Sequence, residues 1–340
     1  MKKIVTYGSL VLALVIFTST FVGAETINTN LDSAVNMALE NNLELKEAEI
    51  SLEKEKLEYE KSIANNLTTQ SDYNKIRAEY TLKNAEISYK NTYDSLIKNV
   101  VQQYNNLMLS KFNLQILEKR QKLENKLLEE SQAKYEIGDI GNVSLLEQKN
   151  SYQDASYKFR SAQDNYEQSL REFKTTLGLD IENKLELSKF KEPKVWEISK
   201  EEVIKTTLNN SLNLKLKEKN LELAKLDKKR TEISSAKIDK KIAEKTVEKA
   251  EISRKRTKRE LENSSVLAFY DYQQSIEEMR LKKSNFEKTK KDYRLKKEQY
   301  NEGLLTESEL INYEISRMQA EYDYLSAVAN YYNKKIALRQ

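Results

Sequence analysis

Hydrophobic residues along this chain recur at steps of three, four and seven, and almost nowhere at steps of two. The clearest run is Leu145, Tyr152, Ala155, Phe159, Ala162, Tyr166, Leu170, Phe173 and Leu177. Leu310, Ala320, Tyr324, Ala327, Tyr331 and Leu338 follow the same pattern later in the chain. This spacing holds one stripe of a helix against a neighbour, as in a coiled-coil seam where each side chain enters a gap between four opposite. Small residues let the backbones approach and rings fill the remaining volume, so the stripe reads as core rather than as a cofactor slot. The charged residues between read as solvated faces.

The two runs belong to a longer internal repeat. A shift of 165 places Tyr135 on Tyr300, Gly138 on Gly303, Leu145 on Leu310, Ser151 on Ser316 and Tyr166 on Tyr331. A shift of 169 aligns the earlier parts, with Leu39 on Leu208, Asn41 on Asn210, Leu43 on Leu212, Leu45 on Leu214 and Leu57 on Leu226. Two hairpin units follow, residues 29–179 and 198–339, joined by a linker over 180–197. The linker holds the chain's one proline, Pro193, and its one tryptophan, Trp196, which is expected to pack against the short helices.

Each unit reads as four helices. A short one (Leu31–Asn41, Glu201–Asn210) ends at an Asn, a residue that tolerates the left-handed conformation of a helix end. A second runs to about Ile63 or Ser234, and a long charged helix covers Tyr73–Glu136 or Lys240–Glu302. Each long helix would reach roughly 90 Å. Gly138 or Gly303 breaks it, and a return helix runs Val143–Leu177 or Glu307–Leu338. The expected fold is all-α, built from long antiparallel coiled-coil hairpins in two tandem repeats, with no β-barrel.

Composition narrows the chemistry. A third of the 340 residues are charged in near-equal numbers of each sign, as in long helices and coiled coils. The formal charge of +4 falls to +2 without Lys2 and Lys3, which gives no electrostatic case for nucleic acid. With no cysteine and no histidine, the chain lacks disulfides, thiol chemistry, the usual general base and the commonest metal ligand. No spacing singles out a carboxylate pair, so no catalytic residue, metal or cofactor is expected, and the chain does not read as an enzyme. Met1–Lys3 followed by the apolar run Ile4–Phe21 and Val22-Gly23-Ala24 reads as a signal peptide over residues 1–24, cleaved before Glu25. The alternative is a retained N-terminal anchor, because the apolar run is about long enough to cross a bilayer.

Leu31 to Leu45, with its Ala38-Leu39-Glu40-Asn41-Asn42 phrase, resembles the start of a repeat of the outer-membrane efflux protein (TolC) family. Leu43 stands where that family usually has proline. Lys134-Tyr135-Glu136-Ile137-Gly138, Leu145-Leu146 and the Ala/Tyr helix ending at Leu177-Gly178 resemble its hairpin tip and return helix, and Tyr300–Gly303 with Leu310-Ile311 repeat them. The resemblance implies a homotrimeric α-barrel in the cell envelope. Its tips would meet a periplasmic adaptor (a membrane fusion protein), and substrates from an inner-membrane pump would pass through. The tip residues are then Gly138, Asp139, Ile140, Gly141, Asn142 and Val143 in the first unit, and Gly303, Leu304, Leu305, Thr306 and Glu307 in the second. The family's acidic residue six places after the tip glycine, which can face the pore, is matched by Glu309 but not by Ser144.

One departure is large. The family inserts two membrane strands per repeat between the second and third helices, each needing about 9–11 residues of alternating polarity. Here that place holds Asn65–Asp72 or Ser235–Lys241, too short or too charged for such strands. The reading is a helical conduit without its membrane plug, from a single-membrane bacterium or docked below another chain's barrel. Its rival is a structural coiled-coil or adhesin-like surface protein with no lumen. An adaptor protein itself would need Gly-rich β domains, which the sequence does not offer.

Overall fold

The computed structural model describes residues 26–188, 193–234 and 236–339. The signal segment 1–24 lies outside them. Eight helices follow a short strand: β1 (Thr26–Thr29), α1 (Leu31–Asn41), α2 (Leu43–Thr69), α3 (Asp72–Glu136), α4 (Asn142–Thr176), β2 (Lys184–Leu187), α5 (Lys200–Asn210), α6 (Leu212–Ser234), α7 (Lys237–Asn301) and α8 (Glu307–Arg339). Of the described residues, 87% are helical, and their one sheet has two strands, so they form no barrel.

Local chemistry sets most helix ends. Asn30 caps α1 by accepting the Ser33 amide, and Ser199 caps α5 by accepting that of Glu202. The α1–α2 joint does not use a left-handed residue. Asn42 is extended (φ −68°, ψ 120°) and its side chain takes the Leu45 amide at 2.9 Å, so it closes one helix and opens the next. Ser211 does the same between α5 and α6. Helix α2 continues past Ile63 to Thr69, through the Asn pair, because Asn66 works as a staple. Its side chain accepts the Ser71 amide and the Thr69 hydroxyl and donates to the Ser71 carbonyl. The left-handed residue of that turn is Gln70.

Helices α3 and α7 carry 65 residues each, roughly 100 Å of length. Helix α4 returns along α3, with Gln121 bonded to Ser156 and Gln148 to Glu124, and α8 returns along α7. Helix α3 also packs on α8 and α6. The helices therefore lie side by side as α4–α3–α8–α7 toward the tips, and as α2–α3–α6–α7 toward the other, blunt end. Lys119–Glu314 (3.0 Å) and Lys219–Glu79 (2.7 Å) cross the joint between the units.

Aromatic and aliphatic residues fill the middle. Tyr104, Leu107, Phe173 and Leu177 are fully buried with Ala34 and Ala38 in the first unit, and Tyr272, Val328 and Tyr331 with Val203 in the second. Ile116, Leu123, Ile315 and Met318 join α3 to α8 further down. The linker contributes β2, which runs parallel to β1 in the register Thr26↔Lys184 to Thr29↔Leu187 and buries Leu185. Tyrosines fix the linker on both sides. Tyr104 donates its hydroxyl to the Ser188 carbonyl at 2.8 Å, and Tyr331 donates to the Lys194 carbonyl at 3.0 Å. Trp196 packs edge-on against Tyr272 beside α5, as its place in the linker suggested.

Candidate functional site

Both tips are built from one helix-ending motif. In the first, Gly138 (φ +78°) gives its amide to the Tyr135 carbonyl and Asp139 gives its own to Lys134. In the second, Gly303 (φ +75°) bonds Tyr300 and Leu304 bonds Gln299. Glycine is needed at both for the positive φ alone, since a Cβ would meet open space.

The turns differ beyond the glycine. Thr306 caps α8 and Glu309 reaches back to it, so the carboxylate accepts both the Thr306 amide (2.8 Å) and hydroxyl (2.9 Å). The same hydroxyl accepts the Glu309 amide. This reciprocal box holds the Glu309 carboxyl below the usual range, first through the Thr306 amide and then through its hydroxyl. At the matching positions Gly141 and Ser144 form no such box, and Gly141 caps α4 with no side-chain bond. The acidic residue missing from the first tip is thus missing together with its capping partner.

The predicted tip residues sit at one end of the molecule. Gly138, Asp139, Gly141, Asn142 and Val143 are exposed, with Ile140 half-buried. Gly303, Leu304, Thr306 and Glu307 are exposed, with Leu305 half-buried, and Glu309 lies exposed just behind them. Glu307 pairs with Lys126 of α3, and Ser308 donates to Glu130 at 2.8 Å, so the two hairpins are tied together within a turn or two of their tips. The apolar content is large for a solvent-facing turn: Val143 is 69% exposed and Leu304 70%. Ile137, part of the stretch that resembles the family's tip but outside the residues expected to make contacts, is at 81% more exposed than either. Its signal was a large aliphatic residue at a helix C-cap, next to the glycine that turns the chain outward.

The two outer helices carry a second feature. At about 100° per residue, Ile238, Ile242, Ile252, Tyr270, Leu281 and Leu295 share one sector of α7, opposite the face holding Tyr272, Ile276 and Met279. All six are exposed. On α2, Leu43, Ile50 and Leu57 lie at steps of seven and are exposed, opposite Leu45, Leu52 and Tyr59. Each outer helix therefore has two apolar faces and uses one. Among the described residues no group of acidic side chains is arranged to hold a metal, and no helix is long and apolar enough to cross a membrane.

The described architecture defines a class: it is the TolC-like helical fold of the outer-membrane efflux channels, without a barrel. Among solved structures, the chain is similar to the Campylobacter jejuni CmeC outer membrane channel (TM-score 0.61, 15% identity, 90% of this chain and 85% of that one). The outer-membrane channel OprN matches at TM-score 0.63 and 14% identity, over 89% of each chain. The Vibrio cholerae outer membrane protein VceC matches at 0.61 and 11%, over 91% of this chain and 94% of that one. At these identities the likeness is one of fold. No family model and no curated relative matches the sequence.

Proposed function

We propose that the chain is a subunit of a passive export conduit, exported to the cell envelope by its N-terminal signal and closed into a homotrimer. The carrying observation is the pair of unlike, unpartnered edges. A row of helices with α2 at one side and α7 at the other can meet a second copy head to tail, edge against unlike edge, and such contacts either close into a ring or run on as a filament. The two edges fit each other. At 1.5 Å per residue from the blunt end, Leu57, Ile50 and Leu43 lie about 18, 28 and 39 Å along α2. Ile242, Ile252 and Leu267 lie about 8, 22 and 45 Å along α7, so the two series cover the same length of helix. Charge agrees: Leu43–Thr69 holds seven acidic and four basic residues, and 242–260 holds seven basic and four acidic.

Twelve hairpin helices from three copies would enclose a lumen through which solutes pass without chemistry, which fits the absence of catalytic groups in the sequence. The tips, with Ile137, Val143 and Leu304 exposed, would dock a periplasmic adaptor carrying substrates from an inner-membrane pump. In the ring, three copies of Glu309 would stand behind the tips and favour cations.

A single experiment tests the ring. The chain has no cysteine, so Leu57→Cys with Ile252→Cys reports only the contact between copies. Crosslinking is expected to give dimer and trimer bands and nothing larger. A monomer at every concentration would remove the pore and leave a lumen-free surface coiled coil. Cysteines at Asn142 and Thr306 then test the tips, where capture of an adaptor in the native envelope is the expected result. Capture only from the blunt end would reverse the assignment.

A further inference from the structure

We infer that the blunt end around the α6–α7 junction is a binding surface for an anionic phospholipid bilayer. Arg230 of α6 lies over the Tyr73 ring of α3, 4.3 Å from its centroid, so the α6–α7 and α2–α3 turns sit side by side at this end. The end exposes aliphatic side chains where a soluble turn would be polar: Ile233 is 84% exposed, Leu67 74% and Ile238 65%. All three lie within about 5 Å of their helix ends along the axis, the depth at which apolar groups enter the headgroup boundary of a bilayer.

Charge selects the kind of bilayer. Residues 225–245 hold eight basic and four acidic residues, an excess equal to the formal +4 of the whole chain. The matching stretch of the first unit, 56–76, holds three of each. Within the basic stretch Lys228 is held by Glu232 and Lys245 by Glu248. Lys229, Lys237, Lys240 and Lys241 are exposed and make no ion pair among the described residues. Exposed aliphatic side chains on the same helix ends as exposed lysines match a surface with hydrocarbon beneath and negative headgroups above. An acidic protein would engage the lysines but leave Ile233 and Leu67 in water. This surface does not need the ring: Ile233 and Lys229 lie on α6, Leu67 points about 100° away from the Leu43–Ile50–Leu57 stripe, and Lys237, Lys240 and Lys241 precede Ile242, where the seam begins on α7.

Flotation of residues 26–340, which contain every described element, on phospholipid vesicles tests it. Binding is expected to vesicles of about one-third phosphatidylglycerol and to be weak on pure phosphatidylcholine. Each basic group near an anionic leaflet is worth about fivefold, so Lys237→Glu/Lys240→Glu/Lys241→Glu together should lower partitioning at least about 100-fold. Ile233→Ser with Leu67→Ser should lower it at least tenfold on the anionic vesicles, while Val143→Ser with Leu304→Ser at the tips should leave it unchanged. Equal binding to both vesicle types, an unaltered charge-reversed variant, or an equal loss from the tip variant would each overturn the inference. The crosslink between copies is read separately, so failure of the ring and failure of this surface are distinguishable.

Discussion

The hydroxyl of Tyr272 holds both backbone groups of Trp196: it accepts the amide and donates to the carbonyl, each at 2.9 Å. Seventy-six residues of chain separate the two. Through this contact the long helix α7 grips the linker that delivers the second unit. Tyr104 does the equivalent work on α3 with Ser188.

Replacing Tyr272 with Phe keeps the ring packing and removes both of these bonds to the Trp196 backbone. The expected cost is about 1–3 kcal/mol, read from urea unfolding. Trp196 is the only tryptophan, so its emission reports the same event and is expected to shift to the red. Unchanged emission would mean that the ring contact alone positions the linker.

The tyrosine network also predicts alkaline lability. Burial, and after it the charge of Asp32, pushes the Tyr104 hydroxyl from about 10 to about 12. The folded state therefore holds this proton more tightly than the unfolded chain. That stabilisation is complete below pH 10 and is lost as pH rises through 12. The stability difference between wild type and Tyr104→Phe should shrink across this window and stay constant below it. A difference that is flat to pH 12 would contradict the burial argument.

Among the described residues three glycines have positive φ, but their substitutions should differ. At Gly138 and Gly303 alanine meets only the backbone penalty, about 1–2 kcal/mol. At Gly178 (φ +67°) a Cβ would also lie 2.6 Å from the Cβ of Asn41, so overpacking adds about 1–3 kcal/mol. Thermal melting should therefore rank Gly178→Ala well below the other two. Equal shifts would show that α1 yields freely at Asn41.

The capping box of the second tip can be moved to the first. Gly141 has extended backbone (φ −82°, ψ 164°) with open space around its Cβ position, so threonine fits there. Gly141→Thr with Ser144→Glu is expected to stabilise α4 by about 1 kcal/mol and to slow amide exchange in its first turn. Conversely, Thr306→Val should speed exchange at Glu307–Leu310. No change in either direction would mean that the caps are frayed in solution.

The sequence alone determined the helices, their approximate lengths, the two turning glycines and the lack of strands long enough for a barrel. All are local properties: a period near 3.6, a residue that accepts positive φ, and alternation that is absent over nine residues. The seam Leu145–Leu177 was legible for the same reason, and Ala155, Phe173 and Leu177 are buried where it placed them. Tertiary structure decided the rest. Strand β2 joins β1 across about 150 residues with four positions on each side, too little pattern to read along the chain. Similar sequences also came to unlike surroundings. A row of helices has two ends, so α8 is packed between the long helices α3 and α7 while α4 packs chiefly on α3. Glu309, legible as an acid near the tip, acquired its local role only when the turn brought Thr306 within 3 Å. Which apolar stripe is core and which is spare followed in the same way from the neighbours each helix acquired. A helix with two apolar faces encodes both contacts, and only the packing reveals which one a single chain can make.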